Sequence, residues 1–277
     1  MKKYSVVSIH YTTNCDLNCS FCYKTRVDKK LEKPRKFWFD LVPYIKKISN
    51  QIALGGGEPF LDTKFIIKLG NICKKNKVIL NVTTNGKKLV TLSDIELKKV
   101  LKNITMVSIS YDREKIKLFK DAQNYKLLID KIKANTKTRV GCNLLIDESM
   151  FDKKGSFVNI VKFIFSMGVD RIFALYPKNQ KRLNILKHIK EYIYLTDTYE
   201  HFYVDDLSKM ILEEKKYSNW KNPCHYGKDI ISINEQGFIT GCSFDSSDEA
   251  LLMLTKPKDI LKITKIKIKK RFACPYI

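Results

Sequence analysis

Through the first 175 residues short apolar runs alternate with amphipathic stretches, and this alternation constrains the fold more than any other feature of the chain. Apolar runs at 6–11, 51–54, 78–83, 106–110, 139–145 and 171–175 have strand length. Between them, 36–48, 64–75, 93–101, 125–134 and 156–167 carry helical spacing, as in Phe37, Phe39, Leu41, Ile45 and Ile48. Ser93 and Glu96 stand at capping-box spacing. Strands separated by helices in this way require a parallel sheet with right-handed crossovers, as an open sheet or an incomplete barrel. Either architecture puts chemistry at the carboxyl ends of the strands. The notable residues fall there: a cysteine loop after strand one, three glycines after strand two, Asn85-Gly86 after strand three and Asp112 after strand four.

Beyond about residue 180 the pattern changes. Helical stretches at 183–194 and 205–214 lead to a polar, turn-like segment at 217–226. Residues 230–233 and 238–240, joined by Asn234-Glu-Gln-Gly237, read as a β-hairpin. A Lys/Ile-rich tail runs to Cys274-Pro275. The division expected is a core over 1–182 and a small α+β extension over 183–277, packed on it. At 277 residues and 44% hydrophobic, the chain can bury a real core, which excludes a disordered protein or a disulfide-stapled scaffold. It has no membrane-length apolar run, and the stretch after Met1-Lys2-Lys3-Tyr4 is too short for a signal peptide. A cytoplasmic protein with no membrane partner is expected. The net charge of +23 comes from 45 Lys and only 7 Arg, the balance of a solvated surface rather than a nucleic-acid site. The charge permits an anionic partner such as RNA, an acidic peptide or a phosphorylated substrate, without favouring nucleic acid.

Eight cysteines sharpen the reading. In a cytoplasmic chain they are not expected to form disulfides, so metals and clusters become the default. Cys15, Cys19 and Cys22 are spaced CX3CX2C. Thiolates are soft ligands that suit iron–sulfur clusters or zinc. A structural zinc site normally uses four protein ligands, and the nearest further candidate is His10, on the strand entering the loop. Three thiolates on a four-iron cluster leave one iron open to an exogenous ligand.

With Phe21 before its third cysteine, this loop resembles the signature of the radical S-adenosylmethionine (SAM) enzymes. Gly55-Gly56-Gly57-Glu58-Pro59 resembles that family's GGE motif, whose backbone and acid hold the SAM amino group. Thr84-Asn85-Gly86 is also typical, and Ser108-Ile-Ser110-Tyr-Asp112 resembles the segment that reaches the SAM carboxylate and ribose. Asn143 sits where a polar residue commonly faces SAM. The resemblance covers roughly residues 4–180 and implies a partial (β/α)6 TIM-like barrel. It implies that Cys15, Cys19 and Cys22 hold a 4Fe-4S cluster whose open iron binds SAM. It further implies that an electron, delivered from a donor such as flavodoxin or ferredoxin, cleaves SAM to methionine and a 5′-deoxyadenosyl radical. That radical takes a hydrogen atom from the substrate, which is oxidoreductase chemistry. Taken singly, the residues also read otherwise: the glycines as a tight turn, Asn85-Gly86 as a turn dipeptide, Ser110 and Asp112 as cap or loop residues, and Phe21 as packing.

Cys224, Cys242 and Cys274 form a second group, with Gly237 placed C-X12-G-X4-C between the first two. This spacing, with Gly227, resembles the opening of the SPASM and twitch extensions, which bind auxiliary iron–sulfur clusters after a radical SAM barrel. A full SPASM domain carries seven cysteines and two clusters, so three cysteines fit one auxiliary cluster and the shorter twitch form. Its fourth ligand would be substrate, water, His225 or His201. Zinc or free buried thiols stay open at Cys224 and Cys242. Of the remaining cysteines, Cys73 lies on a helix and Cys142 on strand five. Peptide epimerases of the family use a thiol to return hydrogen, but if Gly141 and Asn143 face the interior, Cys142 faces the helices, and packing is expected for both. Tyr23, Tyr111 and Tyr176 lie near the strand tops, where they line a pocket or pack.

Fold and cofactor do not name a substrate. Relatives with such extensions include ribosomal-peptide maturases, molybdopterin-type nucleotide cyclases and aminosugar dehydrogenases. Because strand one opens the chain, no fused leader-binding domain is expected, which leaves that role to a separate leader-peptide-binding protein. The terminal glycines usual in the cyclases are absent. Modification of a ribosomally made peptide ranks first. Radical dehydrogenation or rearrangement of a small polar metabolite, a sugar or nucleotide, ranks second, and RNA modification third. A non-catalytic iron–sulfur electron carrier is a different class, disfavoured because it needs no SAM site.

Overall fold

The computed structural model describes residues 4–22, 24, 27–112, 122–151, 155–176, 188–205, 227–243 and 249–268. All the strands expected before residue 176 form: β1 (Val6–His10), β2 (Gln51–Gly55), β3 (Ile79–Thr84), β4 (Met106–Tyr111), β5 (Arg139–Leu145) and β6 (Arg171–Leu175). They lie in sequence order and pair parallel throughout. The crossovers are filled by α1 (Arg35–Ile45), α2 (Thr63–Lys75), α3 (Lys87–Thr91), α4 (Asp94–Leu101), α5 (Ala122–Asn135) and α6 (Ser156–Ser166). Ser93 caps α4, and Glu96 closes the box by accepting the Ser93 N–H at 2.8 Å. The apolar spacing that extended the first helix to Ile48 continues past its end. α1 stops at Ile45, and Ile48 is buried from the following turn, where its N–H reaches Ile45 O at 2.8 Å.

The strands have two unlike faces. Val7 and Ile9, Ile52 and Leu54, Leu80 and Val82, Val107 and Ile109, and Val140, Cys142 and Leu144 are buried beneath the helices. The concave face carries Ser8 and His10, Ala53 and Gly55, Asn81 and Thr83, Ser108 and Ser110, and Gly141 and Asn143, matched across the sheet by register. Small polar side chains do not fill the interior as branched aliphatics would. The curved sheet therefore keeps a hollow at its carboxyl end.

The chain beyond 182 extends both edges of this sheet. α7 (Ile189–Thr198) replaces the expected 183–194 helix, of which 183–187 lie outside the described residues. It is followed by a strand missed in the sequence, β7 (Phe202–Val204), parallel to β6. Three residues are too few to show a period. The expected 205–214 helix, apart from Asp205, and the 217–226 segment lie outside the described residues. β8 (Ile230–Ile233) and β9 (Phe238–Thr240) form the expected antiparallel hairpin. β8 also pairs parallel with β1, and β10 (Leu252–Met253) lies outside β9. The order is β10-β9-β8-β1-β2-β3-β4-β5-β6-β7, a ten-stranded sheet that does not close. A 3-10 segment, Pro257–Lys265, packs on α1.

Candidate functional site

The cysteine loop leaves β1 and is seated on the glycines that end β2. Gly57 N–H donates to Thr12 O at 2.7 Å, and Glu58 N–H to Asn14 O at 2.8 Å. A Cβ at Gly57 would collide with Asn14 O, and one at Gly56 would lie 2.5 Å from Thr12 O. Gly56 also adopts φ +113°, which side chains disfavour. These glycines thus let the base of the cysteine loop approach. Glu32, which no local spacing marks, braces the loop from the other side. Its carboxylate accepts from Thr13 N–H at 2.7 Å and Thr12 Oγ1 at 2.9 Å.

Glu58 is 1% exposed and joins β2 to β3. It accepts from Asn85 N–H at 2.7 Å, Thr84 Oγ1 at 2.8 Å and Phe60 N–H at 3.0 Å. Burial pushes its carboxyl up, and these three donors oppose that. Asn85 in turn donates through Nδ2 to Asp16 Oδ1, inside the CX3C segment, at 2.9 Å. A chain of contacts therefore runs from the glycine turn through the Thr84-Asn85-Gly86 turn back to the cysteine loop. Lys87 adds an ion pair to Asp16 at 3.4 Å.

A cavity of about 570 Å³ opens at this end of the sheet. Cys15, Cys19, Cys22 and Phe21 line one wall; Gly55, Gly56, Gly57, Glu58 and Asn85 line the next; and Ser110, Asp112 and Asn143 follow. Every site residue expected in the first 182 residues is thus gathered there except Ser108. That side chain is buried facing Gly141, whose Cβ would come within 2.7 Å of its Oγ. Asn143 Nδ2 donates to Thr83 Oγ1 at 3.3 Å. Cys142 faces the helices and is buried, Cys73 is buried on α2, and neither lines the cavity. Tyr111 packs edge-on against Tyr125, whereas Tyr176 does line the cavity. Tyr23 lies outside the described residues.

The thiols suit a cluster. Cys15 and Cys19 are half-buried, Cys22 is exposed, and all three are unbridged. Burial pushes the Cys15 thiol up, against the Leu17 N–H 3.4 Å from its sulfur. The three line the cavity, yet among the described residues no three His, Cys, Asp or Glu side chains converge on one ion position. His10, the candidate fourth zinc ligand, is buried with Nε2 3.4 Å from Ser8 Oγ. Burial, and then the Lys24 cation, hold its imidazole well below the usual range.

The far wall adds residues beyond the expected site, of which only Tyr176 is a sequence candidate. Leu145, Leu175, Tyr176, Asp205 and Ser243 line it, with Asp205 Oδ2 accepting from Tyr176 N–H at 3.0 Å. Ser243 follows Cys242, which is half-buried beyond β9. Gly227 N–H reaches Gly241 O at 3.0 Å, so the chain at 227 runs beside the segment bearing Cys242. His201 is exposed. Cys224, His225 and Cys274 lie outside the described residues.

An open α/β sheet thus gathers three loop thiols, a glycine turn and strand-end polar groups around one cavity. Residues 9–128 match the family model described as the Radical SAM superfamily, and a domain of that family implies a 4Fe-4S cluster and SAM. An uncharacterized protein of Methanocaldococcus jannaschii is 24% identical over 282 residues, 96% of this chain and 94% of that protein. Among solved structures, SuiB of Streptococcus suis bound to precursor peptide SuiA matches with TM-score 0.66 at 19% identity, over 88% of this chain and 60% of SuiB. The chain thus spans about three fifths of SuiB's length. Native anSMEcpe with bound AdoMet and Cp18Cys peptide matches with TM-score 0.64 at 16% identity, over 96% of this chain and 81% of that one. At these identities the likeness is one of fold.

Proposed function

We propose that this chain is a radical SAM enzyme that modifies a ribosomally made peptide, with Cys15, Cys19 and Cys22 as ligands of its SAM-binding cluster. The observation that carries the reading is the gathering of these thiols with Glu58, Asn85, Ser110, Asp112 and Asn143 around one cavity. A 4Fe-4S cluster and SAM, when bound, supply reductive cleavage of SAM and hydrogen-atom abstraction from the substrate. The chain's own residues hold and orient. Gly56 and Gly57 fix the base of the loop, and Glu58 fixes Asn85 and offers an anionic oxygen toward an ammonium. Ser110, Asp112 and Asn143 face the same space with hydroxyl, carboxylate and amide groups. The buried floor limits water around the reacting atoms.

The peptide reading draws on the far wall, which Tyr176, Asp205 and Ser243 line, and on SuiB and anSMEcpe, both described with peptides bound. The cavity volume, within the range of small-molecule sites, favours a small polar metabolite as the second reading. We assign Cys242, with Cys224 and Cys274, to an auxiliary cluster in a twitch-like segment. The enzyme would act in the cytoplasm with a flavodoxin or ferredoxin as donor and a separate leader-binding protein. No helix among the described residues is long and apolar enough to cross a membrane.

The test is anaerobic reconstitution of wild type and of a Cys15/Cys19/Cys22→Ala variant, with iron counting and a 5′-deoxyadenosine assay under dithionite. About eight irons falling to about four, with cleavage only in wild type, is the expected result for two four-iron clusters. An intact, reducible N-terminal cluster that yields no 5′-deoxyadenosine would overturn the enzyme reading. Mass shifts in candidate peptides, or in sugars and nucleotides, then separate the two substrate classes.

A further inference from the structure

Lys24 is the one lysine or arginine among the described residues lining the cavity, and it stands two residues beyond Cys22. Its side chain is 15% exposed, and its carbonyl oxygen lies 4.0 Å from Cys22 Sγ. The ammonium is 3.7 Å from Oε2 of Glu235, itself 6% exposed. Glu235 belongs to the turn between β8 and β9, far along the chain from the cysteine loop. That turn is fastened to the segment following Lys24. Lys33 N–H donates to Glu235 O at 2.7 Å, and a Cβ at Gly237 would lie 2.7 Å from Lys33 Cε. The glycine that the sequence places between Cys224 and Cys242 thus stands where the hairpin meets the chain after the cysteine loop, at φ +89°, which favours glycine.

The pair places a positive charge in the cavity lined by the proposed cluster ligands and a negative charge 3.7 Å behind it, both largely out of water. Reduction adds an electron to a cluster, so a nearby cation favours the reduced state and a nearby anion the oxidised state. Glu235 partly cancels the field of Lys24. We propose that the Lys24–Glu235 pair sets the reduction potential of the cluster held by Cys15, Cys19 and Cys22, with the C-terminal hairpin supplying the offsetting charge. Neither residue is catalytic; each acts through the cluster's field. The inference rests on the N-terminal cluster assigned above.

The test is an anaerobic redox titration, followed by electron paramagnetic resonance, of holoprotein carrying Lys24→Met, Glu235→Gln, both changes, or Lys24→Arg. Iron counting comes first. No N-terminal iron in wild type would overturn the ligand assignment, and this inference with it. With iron present, the midpoint should fall in Lys24→Met, which leaves an anion, and rise in Glu235→Gln, which leaves a cation. The double variant should return near wild type, and Lys24→Arg should stay there. A packing role alone predicts shared loss of iron rather than shifts of opposite sign. Should Lys24→Met fail to hold a cluster, Glu235→Gln and Lys24→Arg still decide the sign. Unmoved midpoints, or shifts of one sign, overturn the proposal. So does weaker SAM binding at an unmoved midpoint, which would make Lys24 an anion-binding group.

Discussion

Gly57 shows how a motif legible in sequence acquires its physical reason only in three dimensions. The glycine turn was read as an approach toward SAM, but the atoms its missing side chain admits belong to the backbone at Thr12 and Asn14. Gly57→Ala should therefore cost about 1–3 kcal/mol by overpacking and displace the cysteine loop. Thermal unfolding and iron content after reconstitution check this, with both expected to drop. Gly155→Ala is the contrast: φ is +79° there, which strains a side chain, but nothing lies within 4 Å of the added Cβ. It should cost about 1–2 kcal/mol and leave iron at the wild-type level. Glu58 gives the same lesson, since three of its acceptor positions serve Phe60, Thr84 and Asn85. Phe60 is a local cap partner, but Thr84 and Asn85 follow no spacing rule, because they meet Glu58 where two strands end side by side.

Among the elements, the cysteine loop depends on groups that sequence distance hides. Glu32 lies in the residue after the 3-10 turn Lys29–Leu31 and reaches back to Thr12 and Thr13. Glu32→Ala leaves those donors without their acceptor, a loss of about 1–3 kcal/mol. Hydrogen exchange over residues 12–22 should quicken, and unchanged exchange would remove Glu32 from the role of brace. The 3-10 segment Pro257–Lys265 has a pH-sensitive anchor. Asp259 accepts from Thr255 Oγ1 at 2.7 Å and Lys256 N–H at 3.0 Å, with Lys262 Nζ at 2.9 Å. The Thr255 hydroxyl, then Lys262 and the Lys256 N–H, hold its carboxyl well below the usual range. A depressed pKa contributes stability above the unfolded value of about 4 and loses it as pH falls toward the folded one. Asp259→Asn should thus be less stable than wild type near pH 7, by up to about 1 kcal/mol, the value of a surface ion pair. The gap in denaturant midpoint should narrow below about pH 4. A gap that stays constant with pH would mean the carboxylate's charge is not what anchors the turn.

For the whole molecule, the decisive contact is β8 against β1. It joins a strand near residue 230 to the one that carries the cysteine loop, with Val7 opposite both Ile52 and Ile231. Ile231 and Ile233 are fully buried in the same core as the helices. Ile231→Ala should cost about 2–5 kcal/mol and lower a single unfolding transition of the entire chain. A separate low-temperature transition, with the main one unmoved, would instead mark an independently folding extension.

The sequence by itself determined the strands up to residue 175 and their helices apart from the short α3, the β8–β9 hairpin, the cap at Ser93 and the cysteine and glycine motifs. Each is written in neighbouring residues, as a period of two or 3.6, a turn dipeptide or a fixed spacing. It missed β7, whose three residues hold no period, and it could not show β8 joining β1, Glu32 bracing Thr12 and Thr13, Asn85 reaching Asp16, or Lys24 meeting Glu235. Those were decided by the tertiary structure, because parallel strands and curved sheets bring together residues whose separation along the chain has no period. Closeness in space then came from the register and curvature of the sheet rather than from any local rule.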